Sequence, residues 1–157
     1  MVAPGGTQVF RIQWAGDQQI KTSQSYVFSV NQVPVKMPEG KSGVQVVFNF
    51  GCIVNVAPSQ GTSNIEILKT GLDKDDKGIR HPVLTVKNGG NMHAKLVDAT
   101  IKLTSGSWSQ TLTPEGLRQL VGVGLVQPGK TRRFVLPVDL PAEANNVTVN
   151  LEYKQPK

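Results

Sequence analysis

V-Q-V-V-F-N-F-G-C-I-V-N-V-A-P, Val44 to Pro58, is the stretch whose reading decides the fold class. With a period of two, Val44, Val46, Phe48, Phe50, Cys52, Val54 and Val56 fall on one face, and Gln45, Val47, Asn49, Gly51, Ile53, Asn55 and Ala57 on the other. Such alternation predicts a long strand with one strongly apolar face. It would extend about 45 Å, well beyond the usual five or six residues. The strand is therefore expected to run past its own sheet or to bend at Gly51 into a second strand. An apolar strand with a free edge pairs with another chain unless something covers it. Lending the strand to a partner is the functional form of that tendency; the structural alternative is that the same side chains fill the core of their own domain.

Working outward, the texture stays β. The 157 residues are 38% hydrophobic and 18% charged, a balance that suits one globular domain or two small ones and argues against disorder. Sixteen Gly and ten Pro, with many Val and Thr, indicate short strands joined by turns. Upstream, Gln8 to Trp14 and Ser25 to Val35 alternate as strands, the second stopping near Pro34, and a basic loop from Lys36 to Gly43 leads into the long strand. Downstream, strands are expected at Ile65 to Leu68, Pro82 to Asn88, His93 to Leu103, Lys130 to Leu136 and Asn146 to Tyr153. Gly89-Gly90-Asn91 reads as a tight turn, and Gly106 and Pro114 frame a hairpin around Trp108. Residues 115 to 121 have the signature of one helical turn, with Thr113 as cap and Pro114 in the first position. The class is all-β, with a boundary placed at 59 to 64.

Lys and Arg exceed Asp and Glu by 17 to 11, a net charge of +6. Only Arg132 and Arg133 are adjacent, and no basic stripe is interleaved with aromatics, so a solvated surface is read in preference to nucleic-acid binding. Cys52 is the single cysteine, which precludes an internal disulfide and a cysteine-cluster metal site. No apolar run approaches the roughly 20 residues of a membrane-spanning helix, and no membrane insertion is expected. M-V-A-P-G-G-T does not read as a signal peptide.

Three motifs promise chemistry. Gly124 to Thr131 fits the phosphate-binding pattern G-x-x-x-x-G-K-[ST] letter for letter. That pattern works only where a helix follows and aims its N-terminal N–H groups at phosphate. Arg132 to Pro137 reads as a strand instead, so a structural hairpin turn is expected. Asp73, Asp75, Asp76 and Gly78 resemble a calcium loop, but Leu84 stands where the bidentate Glu belongs, and a solvated linker is favoured. His81 and His93 lack a second ligand at metal spacing. No catalytic residue, cofactor site or metal site is expected.

The order of five segments carries a resemblance. They are P-G-G-T-Q-V-F-R-I (Pro4 to Ile12), S-Y-V-F-S-V-N-Q-V-P-V (Ser25 to Val35), Val44 to Pro58, L-T-V-K-N-G-G-N-M-H-A-K-L (Leu84 to Leu96) and L-V-Q-P-G-K-T-R-R-F-V-L-P (Leu125 to Pro137). Together they resemble the periplasmic chaperones of the chaperone–usher pathway, in the archaic, spore-coat-like branch. The resemblance implies two immunoglobulin-like β-sandwiches, residues 1-58 forming the C-terminal part of the first and residues 59-157 the second. It implies that the chain starts at the fourth strand of that family, so that the first sandwich lacks its N-terminal strands and the export signal lies outside the chain. It implies a periplasmic, non-enzymatic chaperone that captures pilin subunits by donor-strand complementation and hands them to an outer-membrane usher, with Val44, Val46, Phe48 and Phe50 as the subunit-binding strand. The family's carboxylate-anchoring Lys has no counterpart, because Ile53 occupies its position. Self-association through the exposed strand is the further partner expectation. The alternative from a different class is a structural pilin- or adhesin-like β-domain that receives a strand.

Overall fold

A computed structural model describes residues 5–34, 40 and 43–155. Strands dominate it, and the described residues are all-β apart from one α-helix and one 3-10 turn. The expected loop from Lys36 to Gly43 falls largely outside the described residues.

The N-terminal part contributes one hairpin-like pair. β1 (Gln24–Asn31) runs antiparallel to β2 (Asn49–Val56), with Tyr26 opposite Val54, Phe28 opposite Cys52 and Val30 opposite Phe50. Paired residues share a face, so these six side chains form one apolar surface, as period-two reading requires. Neither strand has a second neighbour among the described residues.

The strand expected over Val44 to Pro58 is thus shortened. Only Asn49 to Val56 are in β conformation, and residues 43–48 extend beyond the ladder. One further rung ties them: the Gln32 N–H donates to the Phe48 carbonyl at 2.9 Å, and the Phe48 N–H donates to Gln32 Oε1 at 3.1 Å. Gly51 lies inside β2 opposite Ser29, so no bend occurs there. Gln8 to Trp14, expected as a strand, carries no β structure.

From Ile65 onward the chain builds a body of two three-stranded antiparallel sheets. One has the order β3 (Ile65–Lys74), β4 (Arg80–Asn88), β9 (Thr131–Val135). The other has the order β10 (Thr148–Tyr153), β6 (Ala99–Ser105), β7 (Trp108–Leu112). A two-stranded piece, β5 (Ala94–Lys95) with β8 (Leu125–Val126), completes the body. Leu84 and Val86 of β4, Ile101 and Leu103 of β6, and Phe134 of β9 belong to one buried cluster. Every buried member of that cluster lies between Ile65 and Val147.

Several expectations change in detail. β3 is ten residues long, with a bulge between Ile67 and Lys69 that turns Leu68 out to solvent. The charged stretch after Asp73 closes the β3–β4 hairpin: Asp75 Oδ1 accepts the N–H groups of Lys77 at 2.9 Å and Ile79 at 2.8 Å. His93 to Leu103 is not one strand, because β5 and β6 belong to different sheets and a 3-10 turn, Leu96–Asp98, carries the chain between them. Leu96 and Val97 are both buried there, which a strand with one wet face could not achieve. The helix α1 (Pro114–Val121) spans two turns, with Thr113 Oγ1 accepting the Gly116 N–H at 3.3 Å and Pro114 in the first turn.

Candidate functional site

The subunit-binding residues expected from sequence lie at the start of β2 and just before it. Val44 is 95% exposed, Val46 61%, Phe48 56% and Phe50 61%. Side chains of this kind left in water cost roughly 1.5–3 kcal/mol each relative to burial. The Phe48 and Phe50 rings lie nearly parallel, with centroids 6.2 Å apart and an interplanar angle of 16°. The structure therefore brings these two together, whereas Val44 and Val46 precede the ladder.

Sequence reading missed how far the apolar surface extends. Phe10 packs on Phe28 with centroids 6.1 Å apart, and Trp14 on Tyr26 at 5.5 Å. Residues 8–14 thus contribute aromatic cover to β1, yet Phe10 and Ile12 remain more than half exposed. Isolated surface apolar residues are ordinary, whereas contiguous exposed apolar patches are characteristic of interaction surfaces in general. The signal was present in the even-numbered positions Phe10, Tyr26, Phe28, Phe48 and Phe50; what sequence lacked was the register that puts them side by side. Cys52 is on the same face and is exposed.

A second cluster sits where the hairpin meets the body. The Asn91 Nδ2 donates to the Lys21 carbonyl at 2.8 Å, the Thr62 N–H donates to Asn91 Oδ1 at 2.9 Å, and the Ser23 N–H donates to the Asn91 carbonyl at 2.9 Å. Ser23 Oγ and His93 Nδ1 lie 3.2 Å apart, and Gln127 Nε2 bonds Ser25 Oγ. Burial holds His93 below its ordinary pKa, with Lys95 adding to the effect and Asp98 opposing it through space. Tyr153, which shares a 2.7 Å hydrogen bond with Ser63 Oγ, is pushed up by burial and by Asp98, against hydrogen bonds from Ser63 and the Lys95 backbone. These groups join segments distant in sequence.

The phosphate-like pattern is occupied by β8, a turn and β9, and a strand rather than a helix follows Lys130. The turn is not a hairpin, since β8 and β9 belong to different sheets. Its Gly129 N–H donates to the Asn88 carbonyl at 2.9 Å, and its Lys130 carbonyl accepts the Asn88 N–H at 3.0 Å. The Asp75 carboxylate serves the backbone of its own loop and lies 3.4 Å from His81 Nε2. Among the described residues, no three His, Cys, Asp or Glu side chains converge on a point that could hold a metal ion. No described helix is long and apolar enough to cross a membrane. Comparison of the chain with protein-family models, with curated proteins and with solved structures found no match.

Proposed function

We propose that the chain is a chaperone of the chaperone–usher type, which captures pilin subunits in the periplasm by lending them the strand Val44 to Phe50 and delivers them to an outer-membrane usher. The observation that carries this reading is the exposure of the alternate large apolar side chains Val44, Val46, Phe48 and Phe50, which lead into β2, a strand with one neighbour among the described residues. A subunit lacking a strand could receive Val44, Val46, Phe48 and Phe50 in its groove while main-chain hydrogen bonds complete its sheet. Burying all four would supply about 6–12 kcal/mol before ordering costs. That range suffices to hold a subunit and still lets a better-fitting strand displace it. On this reading the chain is built of immunoglobulin-like sandwiches, and the hairpin β1–β2 belongs to the first.

The test is capture of a pilin subunit co-expressed in the periplasm with an exported form of the chain. Phe48→Asp places a charge in the middle of the lent strand and is expected to lower recovered subunit at least about tenfold, the equivalent of roughly 1.4 kcal/mol. Asn49→Asp, on the opposite face, is expected to capture as the unaltered chain does. Undiminished capture by Phe48→Asp would defeat the proposal.

A further inference from the structure

We infer that Asn91 is the clasp that fixes the hairpin β1–β2 at one orientation on the two-sheet body. The inference begins with what the two parts do not share. The buried cluster starts at Ile65, so among the described residues no apolar core passes from one part to the other. Nor do β1 and β2 pack extensively on any strand of the body. An attachment without a shared core leaves relative motion as the default. The polar contacts that remain therefore decide the geometry.

Asn91 makes three of them. Its amide nitrogen holds the Lys21 carbonyl, its amide oxygen holds the Thr62 N–H, and its backbone carbonyl holds the Ser23 N–H. One side chain thereby ties the segment leading into β1, the connection between β2 and β3, and the turn after β4. A planar amide with a donor and an acceptor fixed in one plane specifies both directions at once. The turn that carries Asn91 is itself held rigid. Asn88 anchors it from within the body by bonding Met92 and Gly90, and Gly90 permits the close approach: a Cβ there would stand 2.1 Å from the Thr62 carbonyl oxygen. Ser23, at 7% exposure, is the only buried residue among the described residues before Ser63.

Spin labels on the native Cys52, exposed in β2, and on Ser109→Cys, exposed in β7, report the distance distribution between the two parts by electron double resonance. The doubly labelled chain is expected to give one narrow distribution. Asn91→Asp keeps the acceptor for Thr62 but replaces the donor to the Lys21 carbonyl by a second oxygen. The distribution is then expected to broaden about twofold or more, the behaviour of a linked pair without a fixed interface. Thermal unfolding separates this from loss of fold, since a loosened clasp leaves the body's midpoint in place. Should Asn91→Asp lower that midpoint, Ser23→Pro decides, because it deletes the N–H on the hairpin side and leaves the body's sequence untouched. Broadening in the variant that retains the body's midpoint supports the clasp; an unchanged width in it overturns the inference. No subunit is present in the measurement, so its outcome is independent of the capture experiment.

Discussion

Asn88 shows at the scale of one residue how a polar side chain earns a place in an apolar core. It is wholly buried, and its amide is fully used: Nδ2 donates to the carbonyls of Met92 at 2.7 Å and Val126 at 3.0 Å, while Oδ1 accepts the N–H groups of Asn64 at 3.2 Å and Gly90 at 2.9 Å. Truncation would leave buried donors and acceptors unpaired, which costs more than the bonds themselves contribute. Asn88→Ala is accordingly expected to lower unfolding free energy by about 3 kcal/mol, read as a shift of the urea midpoint at unchanged slope. Loss of less than about 1 kcal/mol would mean that water replaces the amide. In the sequence, Asn88 reads only as the last residue of a strand before Gly89 and Gly90. Two of its four partners, Asn64 and Val126, come from distant segments, and no local pattern could announce them.

At the scale of elements, local chemistry was legible where it acts within a few residues. Thr113, Pro114 and the glycine at 122 delimit α1, and the amphipathic turn buries Leu117. Because Thr113 Oγ1 takes one of the otherwise unpaired first-turn N–H groups, Thr113→Ala is expected to cost about 1 kcal/mol of stability, measured by chemical denaturation. The turn between β6 and β7 follows the same logic. Gly106 has a φ of +57° at the first central position of a two-residue connection, the place where glycine suits the twist of a hairpin. Strand lengths were less legible. Period-two alternation marks which side chains share a face, but ladder formation also needs a neighbour at about 4.8 Å. Gln8 to Trp14 and residues 43–48 alternate but lie outside the β ladders of the described residues, residues 43–48 being tied to β1's side by the Gln32–Phe48 bonds. Conversely, Leu96 and Val97 break a run that reads as a single strand, because the chain passes from one sheet to another exactly where both must be buried.

The whole molecule divides by burial into a part with a core and a part that shows its apolar face to solvent. The body's cluster around Leu84, Ile101, Leu103 and Phe134 is self-contained, so residues 59–157 are expected to unfold cooperatively on their own. Hydrophobic dye binding gives the complementary measurement. Removal of residues 1–58 is expected to abolish roughly half or more of the chain's dye fluorescence, since the exposed aromatic and β-branched residues concentrate there. An unchanged signal would place the accessible apolar surface on the body instead. The sequence alone determined the all-β class, the apolar face of β2 from Phe50 to Val56, the helix cap and the glycine turns, because periodicity and turn chemistry are local properties of the chain. Tertiary structure decided which alternating segments become strands, that Phe10, Trp14, Tyr26 and Phe28 meet on one surface, and that Asn88 and Asn91 act as anchors. Those outcomes depend on contacts between residues far apart in sequence, whose free energy appears only when the segments are brought together.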